Sequence, residues 1–420
     1  MLIRFLIVGL ISCSLLVGLG AYLFRRLVRS FALGRRQRRA LGVTLATALT
    51  LTVATRALTW VPLRVLEPIE VAAYTVLLAA AFAAVVLVLV DLALFLASIP
   101  GRSRRLMRPA SAPAPSLPPS PEEPSESPPS PAPTAPLPDV PRRTFLTQAT
   151  AGSAVLLGAS GSLYGTLVGR HDYAIEDVPA RIPGLSRRLD GFTIVQLSDL
   201  HLGTFVGEAE LRAAEDLVRR ARPDLIVLTG DLIDHDPRHA DALGRFTRRL
   251  GALARHGVVA IPGNHDYYTG IDAVRAAITG GGGAMLINDG RVIGDASAGF
   301  ALLGVDDVFG PRIDPRSSGP HLDRALAAVP SDLPRVLLCH NPQLFPGMAG
   351  KVGLQLSGHT HGGQINLGVP PARLVLGHSF IAGGYQLDGT SLHVNRGFGT
   401  AGPPARIGAP PEVSRIILTT

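Results

Sequence analysis

The apolar positions of this chain follow two different rhythms. In its first hundred residues they come in runs too long for a strand. Leu2–Phe24 is apolar apart from Arg4, Leu41–Leu63 is charged only at Arg56, and Val71–Ile99 has twenty uncharged residues before Asp91. Runs of about 20 residues are long enough to cross a bilayer. They predict spans at about 2–24, 41–63 and 71–99. Arg56, near a helix end, can snorkel to the interface. Asp91 is read as an interfacial residue or a helix contact, with an intramembrane functional carboxylate as the alternative.

From Asp172 the rhythm shortens to that of a globular α/β domain. Strands are expected at Phe192–Leu197, Leu225–Leu228, Val258–Ile261, Phe300–Val305, Arg335–Cys339, Gly353–Leu356, Ser391–Val394 and Ser414–Leu418. Between them lie amphipathic stretches. Glu208–Ala221 gathers Leu211, Ala214, Leu217, Val218 and Ala221 on one helical face, and Asp241–His256 does the same with Leu243, Phe246 and Leu250. Ile271–Ile278 predicts another helix, closed by Gly280–Gly283. Short apolar strands alternating with amphipathic helices imply βαβ units with helix-covered strands.

Two segments join these halves. Pro109–Pro141 is rich in Pro, Ser and Ala and carries Glu122, Glu123 and Glu126, which predicts a solvated, disordered linker. Next come Arg142-Arg143-Thr144-Phe145-Leu146 and a weakly apolar stretch from Ala149 to Val168. That order resembles a twin-arginine export signal, which would engage the twin-arginine export machinery. A fourth membrane span with a basic flank, or a cytoplasmic helix packed on the domain, are the alternatives. The resulting organisation is a transmembrane region 1–108, a linker 109–141, a signal or span 142–171 and a globular domain 172–420.

Charge sharpens this division. Of the 420 residues, 1–171 carry 17 Lys+Arg against 7 Asp+Glu, whereas 172–420 carry 23 against 25. The net +8 therefore belongs to the N-terminal part, and no nucleic-acid partner is expected. The arginine clusters 25–39 and 102–108 flank the first and third spans and favour the cytoplasm. This predicts a multi-pass protein of the cytoplasmic membrane with an extracytoplasmic C-terminal domain. Cys13 and Cys339 are the only cysteines, which excludes a thiolate zinc site.

The candidate chemistry sits at the C-terminal ends of strands. These deliver Asp199 with His201, Asp231, Asn264 with His265, His340, and His359 with His361. Each alone has a dull reading as a helix cap or a core histidine. Five strand ends all bearing Asp, Asn or His are not explained by capping, which would use Ser and Thr equally. Carboxylate, amide and imidazole donors suit Mn, Fe, Zn or Ni. A carboxylate is the natural bridge between two ions, a pair that polarises a phosphoryl oxygen for in-line attack. His265 then stands beside the site as a proton donor. Asp266 either orients that imidazole or caps a helix.

Asp199-x-His201, Gly230-Asp231, Gly263-Asn264-His265-Asp266, His340 and Gly358-His359-Thr360-His361 resemble, in order and approximate spacing, the calcineurin-like metallophosphoesterases. The resemblance implies an α/β fold, a four-layer α/β/β/α sandwich, here preceded by N-terminal transmembrane helices. It implies two divalent metal ions. One would be held by Asp199, His201 and His361, the other by Asn264, His340 and His359, with Asp231 bridging and His265 as acid. The ending Asn395–Thr400, Pro403–Arg406 and Pro410–Val413 resembles a membrane-associated or exported bacterial branch acting on phosphodiesters. Arg396 and Arg406 are candidates for contacting substrate phosphate, or else structural ion pairs.

The function implied is a membrane-anchored phosphoesterase hydrolysing phosphodiester or phosphomonoester bonds; the sequence does not name the substrate, and the anchor only places lipid- or envelope-linked phosphoesters near the site. Its alternatives are a UDP-2,3-diacylglucosamine pyrophosphatase-like hydrolase and a non-catalytic metal-binding scaffold.

Overall fold

A computed structural model describes residues 2–55, 58, 61–105, 141–295, 298–366, 368 and 379–420. The expected linker, apart from Pro141, and Arg56 lie outside the described residues. The chain divides into two units, one of Phe5–Thr47 and Leu77–Ser160, the other of Met1–Arg4, Ala48–Val76 and Gly161–Thr420.

Four long helices come first: α1 (Leu2–Ser30), α2 (Arg35–Ala54), α3 (Leu63–Arg105) and α4 (Arg142–Leu163). A π-turn at Tyr164–Val168 and a 3-10 turn at Gly169–His171 extend the last of these. Val65–Ser98 and Arg142–His171 are long and apolar enough to cross a membrane. Within the first unit, Leu23 and Leu27 of α1 pack with Ala83, Ala84 and Leu87 of α3 and with Ala151 and Ala154 of α4. Small residues let these helices approach closely. Asp91 accepts hydrogen bonds from Tyr22 Oη at 2.7 Å and Arg26 Nη2 at 3.0 Å, so it serves as a helix contact.

In the second unit the globular part carries twelve described strands: β1 (Ala174–Arg181), β2 (Thr193–Leu197), β3 (Leu225–Thr229), β4 (Val258–Ile261), β5 (Ala284–Met285), β6 (Asp289–Asp295), β7 (Ala298–Gly304), β8 (Arg335–Leu338), β9 (Leu354–Ser357), β10 (Gly383–Leu387), β11 (Thr390–Val394) and β12 (Glu412–Thr419). Interspersed are α5 (Glu208–Ala221), α6 (Ala240–Gly251), α7 (Asn264–Thr269), α8 (Ile271–Gly280), α9 (Gly310–Ile313), α10 (Leu322–Ala327) and α11 (Phe345–Met348). The strands form two six-stranded sheets, ordered β1-β12-β2-β3-β4-β5 and β10-β11-β9-β8-β7-β6. Ile194, Val227, Val259 and Ile416 of the first sheet meet Phe300, Leu302, Val336 and Leu356 of the second in one core. Leu211, Leu217, Leu243, Phe246 and Val274 cover the outer face of the first sheet, and Leu322, Ala325 and Met348 that of the second. Those are the four layers α/β/β/α.

The sheets are mixed where βαβ units alone predict parallel pairing. β12 runs antiparallel to β2, and β6 and β10 run antiparallel to β7 and β11. The strands without an apolar run, β1, β5, β6 and β10, are the four sheet edges. A half-exposed edge needs no continuous hydrophobic face. α6 also ends at Gly251 rather than His256, because the chain turns through Leu253–Gly257 to enter β4.

Phe300 is fully buried and meets Phe192 edge-on at 5.4 Å between the sheets. Phe300→Ala is expected to cost about 3–5 kcal/mol, read as a lower unfolding midpoint of the detergent-solubilised full chain.

Candidate metal centre

Every candidate ligand lies just past the C-terminal end of a strand: Asp199 and His201 after β2, Asp231 after β3, Asn264 and His265 after β4, His340 after β8, His359 and His361 after β9. The two sheets aim these ends at one place. The backbone bends sharply to do so. Asp199, His201, Asp231, His359 and His361 all adopt left-handed conformations, with φ of 53°, 49°, 53°, 72° and 51°. Each such residue costs on the order of 1–3 kcal/mol, and this kind of strain concentrates at functional sites. Two motif glycines are required by space. A Cβ at Gly358 would strike Ser198 Oγ and Asp199 Oδ2, and one at Gly263 would strike the Asp231 carboxylate.

The donors gather in overlapping groups. Asp199, His201 and His361 form one; Asp231, His340 and His359 form another; Asp231 and His201 also converge with His265. His201 Nε2 faces His361 Nε2 at 3.0 Å, and His361 Nε2 lies 3.4 Å from Asp199 Oδ1. On the other side His340 Nε2 lies 3.2 Å from Asp231 Oδ2 and 3.3 Å from His359 Nδ1. Asp231 Oδ2 is also 3.7 Å from His201 Nε2, so this oxygen stands between the groups. Donors at bond lengths of about 2.0–2.2 Å around one cation lie about 3 Å apart when adjacent. Asn264 Oδ1 is buried and has no hydrogen-bond partner among the described residues. A buried amide oxygen without a donor is costly, and a cation satisfies it. The residues present therefore fit divalent metal.

The ring orientations are set by neighbours that hold the opposite nitrogen, as in most metal sites. His340 Nδ1 donates to Thr229 O at 2.7 Å, leaving Nε2 as ligand. His201 Nδ1 lies 3.3 Å from Asp234 Oδ1. His265 Nδ1 donates to Asp234 O at 2.7 Å and lies 3.1 Å from Asp234 Oδ1. Asp234, which the strand-end pattern does not flag, thus orients both a ligand and the candidate acid. Burial works against its charge, but hydrogen bonds from His201, His235 and His265 prevail and hold it far below the ordinary carboxylate range.

Of its two readings Asp266 takes the helix cap rather than the orientation of His265. Fully buried, its Oδ1 accepts from Leu232 N at 2.9 Å and Ile233 N at 3.3 Å, and its Oδ2 from Gly263 N at 2.8 Å. It ties the Asp231 loop to the Asn264 loop and closes the first turn of α7. Burial and the neighbouring Asp231 push its pKa up to about 7.

The electrostatics divide the carboxylates. Burial raises Asp199, whereas at Asp231 the fields of His340, His265 and His201 overcome burial and hold it well below normal. At His265 burial is outweighed by Asp231 and Asp234, which lift its pKa to about 9. His361 is depressed by burial and by nearby His201 and Arg406. A further carboxylate, Asp307 after β7, is buried with Oδ2 unpartnered among the described residues, and burial pushes it up to about 6.

The two arginines are both committed to protein partners. Arg406 is 1% exposed. Its guanidinium donates to the carbonyls of Arg396, Gly397, Gly399 and Ala409, and its Nη2 lies 3.2 Å from His361 Nδ1. With its donors committed it braces His361 rather than offering them to a substrate phosphate. Arg396 pairs with Glu412 and Glu176, each at 3.0 Å, which is the structural ion pair of the two readings.

Residues 192–363 match the family described as calcineurin-like phosphoesterase. A Bacillus subtilis protein, the uncharacterized metallophosphoesterase YkuE, is 31% identical over 282 residues, covering 65% of this chain and 96% of that protein. This chain belongs to the calcineurin-like phosphoesterase family. It is accordingly a phosphoester hydrolase whose residues cluster to bind metal. A Danio rerio transmembrane protein with metallophosphoesterase domain is 29% identical over 287 residues, covering 63% of this chain and 62% of that protein. The chain thus spans less than two thirds of that relative. Among solved structures, a dimetal phosphatase from Danio rerio superposes with a TM-score of 0.32 at 14% identity, covering 50% of this chain and 88% of that one.

Because Asp234 acts through two histidines, Asp234→Asn is expected to weaken metal affinity and lower kcat, each about 10–100-fold. Calorimetric metal titration beside phosphodiester kinetics checks both, and the folded chain's circular dichroism should stay unchanged.

Proposed function

We propose that this chain is a dinuclear metallophosphoesterase held in the cytoplasmic membrane by several spans, with its catalytic domain outside. The observation that carries the dinuclear reading is Asp231 Oδ2, shared between the His201 side and the His340 side of the site. Asp199, His201 and His361 would hold one ion, and Asn264, His340 and His359 the other, with Asp231 bridging. When bound, the divalent ions polarise the phosphoryl oxygens and lower the pKa of the attacking water. The chain's own groups supply the rest. His265 N donates to Asp231 Oδ1 at 2.8 Å and fixes the bridge. His359 N donates to Asp199 at 3.0 Å and fixes that carboxylate. His265, held through Nδ1, keeps Nε2 for protonating the leaving oxygen.

The membrane reading rests on apolar surface. In α3 Val88, Leu89, Leu92, Leu94, Phe95 and Leu96, and in α4 Leu156 and Leu157, are exposed. Water does not tolerate such faces, and lipid covers them. Near the catalytic part, Ser162 Oγ donates to Thr75 O at 2.7 Å and Arg170 pairs with Glu67 at 3.2 Å. α4 is thereby built into the fold, which supports a retained span over a cleaved signal. Arg102, Arg104, Arg105, Arg142 and Arg143 occupy the helix ends remote from these contacts. Basic ends favour the cytoplasm, which leaves the catalytic domain outside.

The purified full chain is expected to bind two Mn²⁺ per molecule and to hydrolyse bis-p-nitrophenyl phosphate. Chelation abolishes this activity, and Mn²⁺ restores it. Asp231→Asn should lower the stoichiometry measured by elemental analysis. An unchanged stoichiometry with full activity would refute the bridge. His265→Asn should retain the metal and lower kcat by about 10²–10⁴-fold.

A further inference from the structure

The catalytic ligands are connected to the membrane helices through single residues. The carbonyl of Gly165, in the π-turn that ends the fourth apolar helix, accepts a hydrogen bond from Arg406 N at 3.0 Å. The guanidinium of the same Arg406 reaches His361 Nδ1 at 3.2 Å. Gly169, four residues further along, lies so close to the Arg406 carbonyl that a Cβ there would collide with it. One arginine therefore separates a candidate metal ligand from the helix backbone.

A second connection runs through the loop after His201. Phe205 packs edge-on against Tyr74 of α3 at 6.2 Å. Four residues of chain span at most about 14 Å, so His201 lies within that reach of Phe205. A cleft lies beside this contact, lined by Leu66 and Glu70 of α3, by Phe205 and Thr400, and by Asp234. Asp234 is the residue that touches both His201 and His265.

The level of the bilayer is marked by the same segment. Leu163, Tyr164, Leu167 and Val168 are 47–58% exposed, and they face outward up to three residues before His171. Strand β1 begins at Ala174. Read as a span, this helix puts the edge of the hydrocarbon at about Val168. The loops that carry His201 and brace His361 begin at that edge. A water-soluble substrate needs no such placement. A lipid needs it, because its phosphate stays within a few ångströms of the bilayer surface.

We infer that the substrate is a membrane lipid phosphoester, whose acyl chains remain in the bilayer while its headgroup reaches the metal centre beside the Phe205 loop. The inference rests on the phosphoesterase reading and narrows its substrate class. In the reaction water adds its oxygen to phosphorus and gives up a proton to solvent, the P–O bond to the leaving group breaks, and the leaving oxygen takes a proton from His265, which solvent then replaces.

The test uses the full chain with Mn²⁺, reconstituted in vesicles containing phosphatidylglycerol, phosphatidylethanolamine, cardiolipin and phosphatidic acid. Products are read by phosphorus NMR and lipid mass spectrometry. Deacylated counterparts with the same headgroups, and bis-p-nitrophenyl phosphate, are assayed in parallel. One of the lipids is expected to be hydrolysed with kcat/KM at least about tenfold above its deacylated counterpart, since binding energy from the remote tail is used at the reacting centre. Its rate should follow surface mole fraction rather than bulk concentration. Phe205→Ser, which removes the contact with Tyr74, is expected to lower lipid turnover at least about tenfold more than hydrolysis of the soluble diester. Equal turnover of lipid and deacylated counterpart, or turnover of bis-p-nitrophenyl phosphate with none of the four lipids, overturns the inference and leaves the phosphoesterase reading intact. Loss of all hydrolysis in metal-loaded protein overturns both.

Discussion

Two carboxylates, Asp199 and Asp231, are buried at the seam between the two sheets, and the surrounding structure is arranged to keep them there. A buried charge is tolerated only when paired or hydrogen-bonded. Asp199 is held by the backbone N–H of His359, from the opposite sheet, and Asp231 by the N–H of His265. Gln196 reinforces the seam by donating to Thr229 Oγ1 in its own sheet and to Ser357 O in the other. These bonds depend on left-handed backbone at five ligands and on glycines where no Cβ fits. The strain is sustained because the sandwich core fixes every strand end independently.

Around that seam the residues divide by task. Asp266 holds loops, Asp234 holds imidazoles, and Arg406 holds the C-terminal segment beneath His361. All three are ionisable side chains, and none needs to meet substrate. Their value is geometric, since ligand nitrogens that rotate freely do not define a coordination position. Asn264 contrasts with these three, and its oxygen, without a partner among the described residues, points to what the site holds.

The helical segments next to the catalytic part share this rigidity. Thr75, Thr166 and Ser162 hydrogen-bond between α3 and the end of α4, and the chain passes from the last turn at His171 to β1 within three residues.

The strands with apolar runs, the helix at Glu208–Ala221 and the set of strand-end Asp, Asn and His residues were all legible in sequence, because burial and metal chemistry each constrain residue type directly. The four edge strands were not, since half-exposed backbone pairing leaves no apolar run. Asp234 and Asp266 lie three and two residues from recognised ligands, yet the chain alone could not assign their roles. An acidic side chain near a motif reads the same whether it caps a helix, orients a ring or bridges two loops. Arg406 stayed open between phosphate contact and a structural pair, because its partners are carbonyls, which every residue carries and no sequence marks. The linear chain thus determined which atoms are available for metal and phosphate. Only the folding of two sheets onto one seam decided which of those atoms face the site and which are used in holding it.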